Sequence, residues 1–336
     1  MANKMNPEDP KKTEFIKLQK TKDGLEPSLT FSDSEIRDNW ATQDTIHILR
    51  SSLIVLNCDM LDNYSHEVTH GFTMVASEVY LETTRISNSL AMKRKLEKLQ
   101  LSSVDTGYFN LYLQSELHLS NNTEVKNLLA QKQSVLSAIS QSSFTTTNDV
   151  RFIDNKSSNT EGYTMSFLNT NKVDIEETIF SGNEQTNINI EAASLGIKNS
   201  TFTKGQRSHV AAKFADVRMY GVNFYNSTDE TAKGHAVSCI SCTNLQIYSS
   251  SFDNLSADRG TAIRIKDQMD GNSEIIGCTF TDNKARTRAG AIDLKRAGEV
   301  LIKNNTFTRN TVINPAIRYA DAGAVYFACE PNSIDS

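Results

Sequence analysis

The strongest constraint on this chain is a repeat. An apolar residue recurs at Ile36, Met60, Ile86, Phe152, Phe180, Phe202, Phe224, Phe252, Phe280 and Phe307, and from Phe152 onward the steps are 28, 22, 22, 28, 28 and 27 residues. Self-similarity at such a period marks a solenoid, in which one repeat is too small to bury its own apolar side and must stack on the next. Seven and five residues before most of these anchors stands an apolar pair: Leu29/Phe31, Leu53/Val55, Val79/Leu81, Val173/Ile175, Leu195/Ile197, Val217/Met219, Leu245/Ile247 and Val300/Ile302. At Phe280 only Ile275 fits, and at Phe152 neither position does. Spacing of two is strand spacing, because alternate side chains share a face.

A second strand precedes each pair by about seven residues, visible as Ile46-His47-Ile48, Phe72-Thr73-Met74, Met165-Ser166-Phe167, Ile188-Asn189-Ile190, Ile263-Arg264-Ile265, Ile292-Asp293-Leu294 and Val325-Tyr326-Phe327. Two short strands per repeat, with inward columns of Phe and aliphatic side chains, predict an all-β right-handed parallel β-helix. At a strand separation of about 4.8 Å, about ten or eleven coils make a rod about 50 Å long. A leucine-rich horseshoe is the rival scaffold, disfavoured because each repeat carries two strand patterns and no Leu-x-x-Leu-x-Leu frame.

A turn signature follows the anchors: Phe152-Ile-Asp-Asn155, Phe180-Ser-Gly-Asn183, Phe280-Thr-Asp-Asn283, Phe307-Thr-Arg-Asn310, Ile36-Arg-Asp-Asn39 and Met60-Leu-Asp-Asn63. Asn tolerates the left-handed conformation and can stack its amide on the next coil. The following strand often opens on small residues, as in Ala289-Gly-Ala-Ile292 and Ala322-Gly-Ala-Val325, where the chain bends closely. These elements resemble the repeats of polymorphic outer membrane proteins and the pectin-lyase-like β-helix regions of large ciliate surface proteins, over about residues 28 to 329. The resemblance implies a non-catalytic segment of a cell-surface or adhesion-type protein, part of a larger extracellular or membrane-associated precursor, that binds glycan or protein partners.

The organisation expected is a polar tail or cap over 1–27 and a β-helix over 28–336 with an insertion at about 89–140. Within the insertion, Val125, Leu128, Leu129, Leu136 and Ile139 have helical spacing, which predicts a partly helical excursion. Ser336 falls in mid-coil, so the rod is expected either to continue in a longer protein or to associate end to end through an uncapped coil.

Composition narrows the partners. A net charge of -5, from 35 basic and 40 acidic residues, lacks the single-sign field with which nucleic-acid binders neutralise phosphates. No apolar run is long enough to span a membrane, and Met1 to Lys12 is polar, unlike a secretory leader. The five cysteines are scattered apart from Cys239-x-x-Cys242, which is read as small buried thiols in a strand. No metal or other cofactor is expected. Seven Asn-x-Ser/Thr acceptor sequences begin at Asn63, Asn121, Asn155, Asn199, Asn226, Asn254 and Asn304.

The candidate chemistry centres on Gly234-His235-Ala236 and Arg264-Ile265-Lys266, which resemble the Gly-His-Gly and Arg-Ile-Lys of polygalacturonase-type glycosidases. That resemblance implies a polysaccharide hydrolase or lyase, with Arg264 and Lys266 on substrate carboxylates and His235 tuning an acid. Such enzymes also need carboxylates to protonate the leaving oxygen and activate water. No Asn-Thr-Asp and no Asp-Asp pair stands in the coils upstream, only Asp216. The simpler expectation is that Ile263 and Ile265 point in, that Arg264 and Lys266 point out, and that Arg264 meets Asp293 on the next coil as a modest ion pair. Arg264, Asp293 and Tyr326 are then the candidate ligand-binding residues of an outward column with His47, Thr73, Ser166, Asn189 and Ser238, too poor in carboxylates for a calcium lyase. His66-Glu67-Val68-Thr69-His70 matches the letters of a zinc-hydrolase motif, but in a turn, where the two imidazoles do not share a helix face.

Overall fold

The computed structural model describes residues 16–19, 26–41, 45–65, 71–88, 108–130, 133–157, 162–313 and 323–328. His66 and His70 lie outside them, as does most of the tail expected over 1–27. The chain divides into two compact units, residues 1–179 with 183–185, and residues 180–182 with 186–336. Each is a parallel β-solenoid, and every described ordered element is a strand. No described helix is long and apolar enough to cross a membrane.

In the first unit three strand columns stack in register. The pair strands Ser28–Ser32, Ser52–Leu56, Glu78–Glu82, Glu116–Ser120, Ser143–Thr147 and Lys172–Glu176 align Leu29, Leu53, Val79, Leu117, Phe144 and Val173. The anchors align as Ile36, Met60, Ile86, Val125 and Phe152. The second strands align Ile16, Ile46, Phe72, Phe109, Leu136 and Met165.

This register corrects the expectation of a partly helical excursion. Phe109–Tyr112, Glu116–Ser120, Glu124–Lys126, Leu129–Ala130 and Gln133–Ile139 are strands, and Val125 is the anchor missing between Ile86 and Phe152. Helical spacing arose because Val125 and Leu136 lie on different strands of the coil and Leu128 at the corner after the first of them, and all three side chains are buried. The residues from 89 to 107 lie outside those described.

The failure of the seven-and-five rule at Phe152 has a local cause. Its pair is Phe144/Thr146, displaced by one residue because the intervening turn holds two consecutive left-handed residues, Asn148 and Asp149 (φ 59° and 61°). Asn121 and Asn122 repeat that turn before Val125. Other turns in this column use one such residue, for example Asn57 (φ 50°).

In the second unit Phe180, Phe202, Phe224, Phe252, Phe280 and Phe307 form a continuous stack, with successive centroids 4.6 to 5.1 Å apart and ring planes within 13° of parallel. Each buried ring contributes about 1.5–3 kcal/mol of transfer free energy, and stacked pairs add about 0.5–1.5 kcal/mol. The pair column reads Leu195, Val217, Leu245, Ser273 and Val300. Ser273 is therefore an inward position filled by a hydroxyl, buried and donating to Gln268 Oε1 at 2.7 Å. That substitution is why only Ile275 fitted the pattern at Phe280.

The asparagine signature forms an internal ladder in which each amide donates to the anchor carbonyl of the preceding coil. Asn63 Nδ2 reaches the Ile36 carbonyl at 2.8 Å, Asn155 that of Val125 at 3.1 Å, Asn183 that of Phe152 at 3.0 Å, Asn283 that of Phe252 at 3.0 Å and Asn310 that of Phe280 at 2.9 Å. Backbone that turns a corner cannot pair within its own strand, and these side chains supply the missing partner.

The cysteines divide by place. Cys58 and Cys278 occupy the inward corner two residues before an anchor, where Ser250 stands on another coil. Cys278 Sγ lies 3.5 Å from the Ile276 carbonyl as Ser250 Oγ lies 2.9 Å from that of Tyr248. Burial pushes the Cys278 thiol up, so it stays protonated. The reading of buried thiols is corrected at Cys239 and Cys242, which are joined as a disulfide.

Candidate functional site

The second-strand column of the second unit aligns Ala211, Ser238, Arg264, Asp293 and Tyr326 on one face, with Lys266 and Lys295 facing each other two residues along. Alternation with Ile263, Ile265, Ile292 and Leu294 turns these residues away from the core, as expected. They are nevertheless covered. Arg264 is 7% exposed and Asp293 0%, which corrects the expectation of a solvated surface pair. The cover is the chain that leads into each strand. Gly234 (φ +82°) lies so close that a Cβ there would stand 2.7 Å from Arg264 Cβ, and one on Gly260 (φ +51°) would stand 2.6 Å from Asp293 Cβ. Only glycine accepts both that conformation and that approach.

Asp293 is the hub. Arg264 Nε lies 3.7 Å from its Oδ2, Arg288 Nε 3.3 Å from its Oδ1, and Arg259 adds a longer-range attraction. Burial pushes the Asp293 carboxyl above its ordinary range, and the guanidinium groups of Arg288, Arg264 and Arg259 oppose the shift. Arg288 also places its guanidinium 4.3 Å from the centroid of Tyr326. Asp258 holds Arg259 at 3.2 Å and Arg286 at 3.1 Å, and Asp267 holds Lys266 at 3.7 Å and also Arg296. In this cluster the cations outnumber the carboxylates.

Arg264, Asp293 and Tyr326 are thus brought together, with Lys266 beside them. His235 is not: it turns inward, fully buried, its ring edge-on to His209 at 5.3 Å. Asp216 pairs with Arg218 at 2.9 Å on the outside of the pair column. The residues resembling a polygalacturonase site therefore do not converge on one constellation.

Arg259 and Arg288 escaped the sequence analysis. Their signal was a basic residue directly before the small-residue opening of the strand, in Arg259-Gly260 and Arg288-Ala289-Gly290, at equivalent positions of adjacent coils. His209 also went unnoticed. It bridges Asn187 Nδ2 at 2.7 Å and Ser227 Oγ at 2.9 Å, with all three residues buried. The Asn187 amide donates to Nδ1 and the Ser227 hydroxyl donates to the Tyr225 carbonyl, so Nε2 carries the proton and donates to Ser227; the bridge is structural, the reverse of a nucleophile and its base, and the serine is 1% exposed. Burial, and then His235, hold the His209 imidazole well below its ordinary pKa.

A family model described as the right-handed β-helix region matches residues 137–307 and 217–334. The chain belongs to this family. The match assigns the β-helix its hand and removes the leucine-rich horseshoe as an alternative. No curated protein and no solved structure matches the chain. On this β-helix, the basic face around Asp293 is the densest assembly of charged side chains described, and the partly exposed Lys266, Arg259 and Arg286 lie at its edges.

Proposed function

We propose that this β-helix is a non-catalytic, surface-displayed scaffold that binds an acidic glycan along the basic face around Arg264 and Asp293. The observation carrying the reading is the excess of cations there: Arg264 and Arg288 share Asp293, Arg259 and Arg286 share Asp258, and Lys266 and Arg296 share Asp267, so each carboxylate is met by two cations and a net positive charge remains to attract a carboxylated or sulfated chain. Guanidinium forks suit such groups, and Tyr326, already beneath Arg288, adds a ring on the same face. Placement outside the cell is supported by the Cys239–Cys242 disulfide, a bond that persists chiefly in oxidising compartments.

Binding of the full chain to polygalacturonate and to a sulfated polysaccharide, against a neutral glucan, tests the reading. Preference for the acidic polymers, lost as salt rises, is expected, with about tenfold weaker binding for Lys266→Ala combined with Arg286→Ala, the equivalent of about 1.4 kcal/mol. Equal binding to the neutral glucan would refute it. Release of reducing or unsaturated ends during the same incubation would move the protein to the hydrolase or lyase class.

A further inference from the structure

The fold sorts the seven acceptor sequences into different chemical situations. Asn63 and Asn155 are ladder amides, 3% and 0% exposed, whose Nδ2 atoms are committed to the Ile36 and Val125 carbonyls. Asn121 is half-buried, donating to Glu82 Oε1 at 2.7 Å and accepting from Asn148 at 3.0 Å. Asn199, Asn226, Asn254 and Asn304 are exposed, each at a left-handed turn (φ 47°, 52°, 49° and 55°). Asn254 Nδ2 donates to Asn226 Oδ1 at 2.9 Å, which ties those two amides together across adjacent coils. Asn199 and Asn304 stand three residues before the anchors Phe202 and Phe307, on the same turn edge of the second unit, and Thr306, the hydroxyl of the Asn304 acceptor, is exposed.

We propose that Asn199 and Asn304 are N-glycan attachment sites, and that Asn63 and Asn155 stay unmodified in the folded chain because their amides are structural. The inference rests on the placement outside the cell given above. In the transfer, a bond forms between the asparagine Nδ2 and the anomeric carbon of an oligosaccharide carried on a lipid pyrophosphate. The bond from that carbon to the pyrophosphate oxygen breaks, the pyrophosphate leaves with the electron pair, and the amide gives up one proton to a base of the transferase. No oxidant or reductant enters. A sugar on Asn155 would replace an amide hydrogen at a position with no solvent access, whereas one on Asn199 or Asn304 extends freely from the turn.

The experiment is site mapping of the full chain secreted from a eukaryotic host, with glycans released by an amidase in heavy-oxygen water so that each occupied Asn becomes a labelled Asp. Label at Asn199 and Asn304, with none at Asn63 or Asn155 in the folded fraction, is expected. Absence of label at both turn positions in secreted protein overturns the proposal, as does label at Asn155 in protein that melts like the bulk. Asn199→Gln and Asn304→Gln should each remove one glycan mass and leave the thermal midpoint unchanged; a large drop in midpoint would show those side chains to be structural instead. Polysaccharide binding by the enzymatically deglycosylated chain is measured apart, so loss of the basic-face reading and loss of this one give different results.

Discussion

Asn183 Oδ1 accepts the backbone N–H of Asn155 at 2.9 Å, and the Asn155 amide in turn accepts from Leu128 N at 3.0 Å and donates to the Val125 carbonyl. Removing one rung leaves both a buried donor and a buried acceptor without partners, at about 1–3 kcal/mol each. Asn155→Ala should therefore lower stability by about 2–6 kcal/mol in urea denaturation, with the slope unchanged. A loss under about 0.5 kcal/mol, the range of an ordinary surface substitution, would mean that the ladder is ornamental.

Two aspartates separate buried from exposed electrostatics. Asp293→Ala strips Arg264 and Arg288 of their buried counter-ion and should cost about 3–5 kcal/mol, because a stranded charge is penalised more than the pair was worth. Asp216→Ala breaks a pair whose arginine side chain is 65% exposed, and water replaces the carboxylate; the change should stay within about 1 kcal/mol. Equal thermal shifts for the two variants would contradict the burial of Asp293.

His209 gives the fold an acid-sensitive point. Its folded pKa lies below the ordinary 6.5, so the unfolded chain binds the extra proton first as pH falls. The stability this neutral, hydrogen-bonded imidazole contributes is complete above about pH 6.5 and declines below it, by at most about 1.4 kcal/mol per pH unit from this group. Stability measured between pH 7 and 5 should show that slope, and His209→Gln should flatten it. An identical slope in the variant would assign the acid limb to other groups.

Cys278 acts as a small corner group rather than as a reactive thiol. Cys278→Ser should change stability by less than about 1 kcal/mol, since Ser250 makes the same turn contact on its own coil, whereas Cys278→Leu should overpack the corner by about 1–3 kcal/mol. Rapid labelling of native Cys278 by a thiol reagent would contradict its burial and its raised pKa.

The amino-acid sequence by itself determined the coil. Strand alternation, the Phe anchors and the asparagine turns are local patterns whose period of two, recurring every two dozen residues, permits only stacked strands, and the Arg264–Asp293 adjacency followed from that register alone. Where the period slipped, local pattern misled: the second left-handed residue in the Asn121-Asn122 and Asn148-Asp149 turns displaced the pairs before Val125 and Phe152, and buried residues from different segments of one coil made Val125 to Ile139 look helical. Tertiary structure alone decided what covers the outer face. Alternation gives a side chain's direction but not what lies above it, so the closing of Gly234 and Gly260 over Arg264 and Asp293, the reach of Arg288 to both Asp293 and Tyr326, and the inward turn of His235 all depended on segments folded back from neighbouring coils.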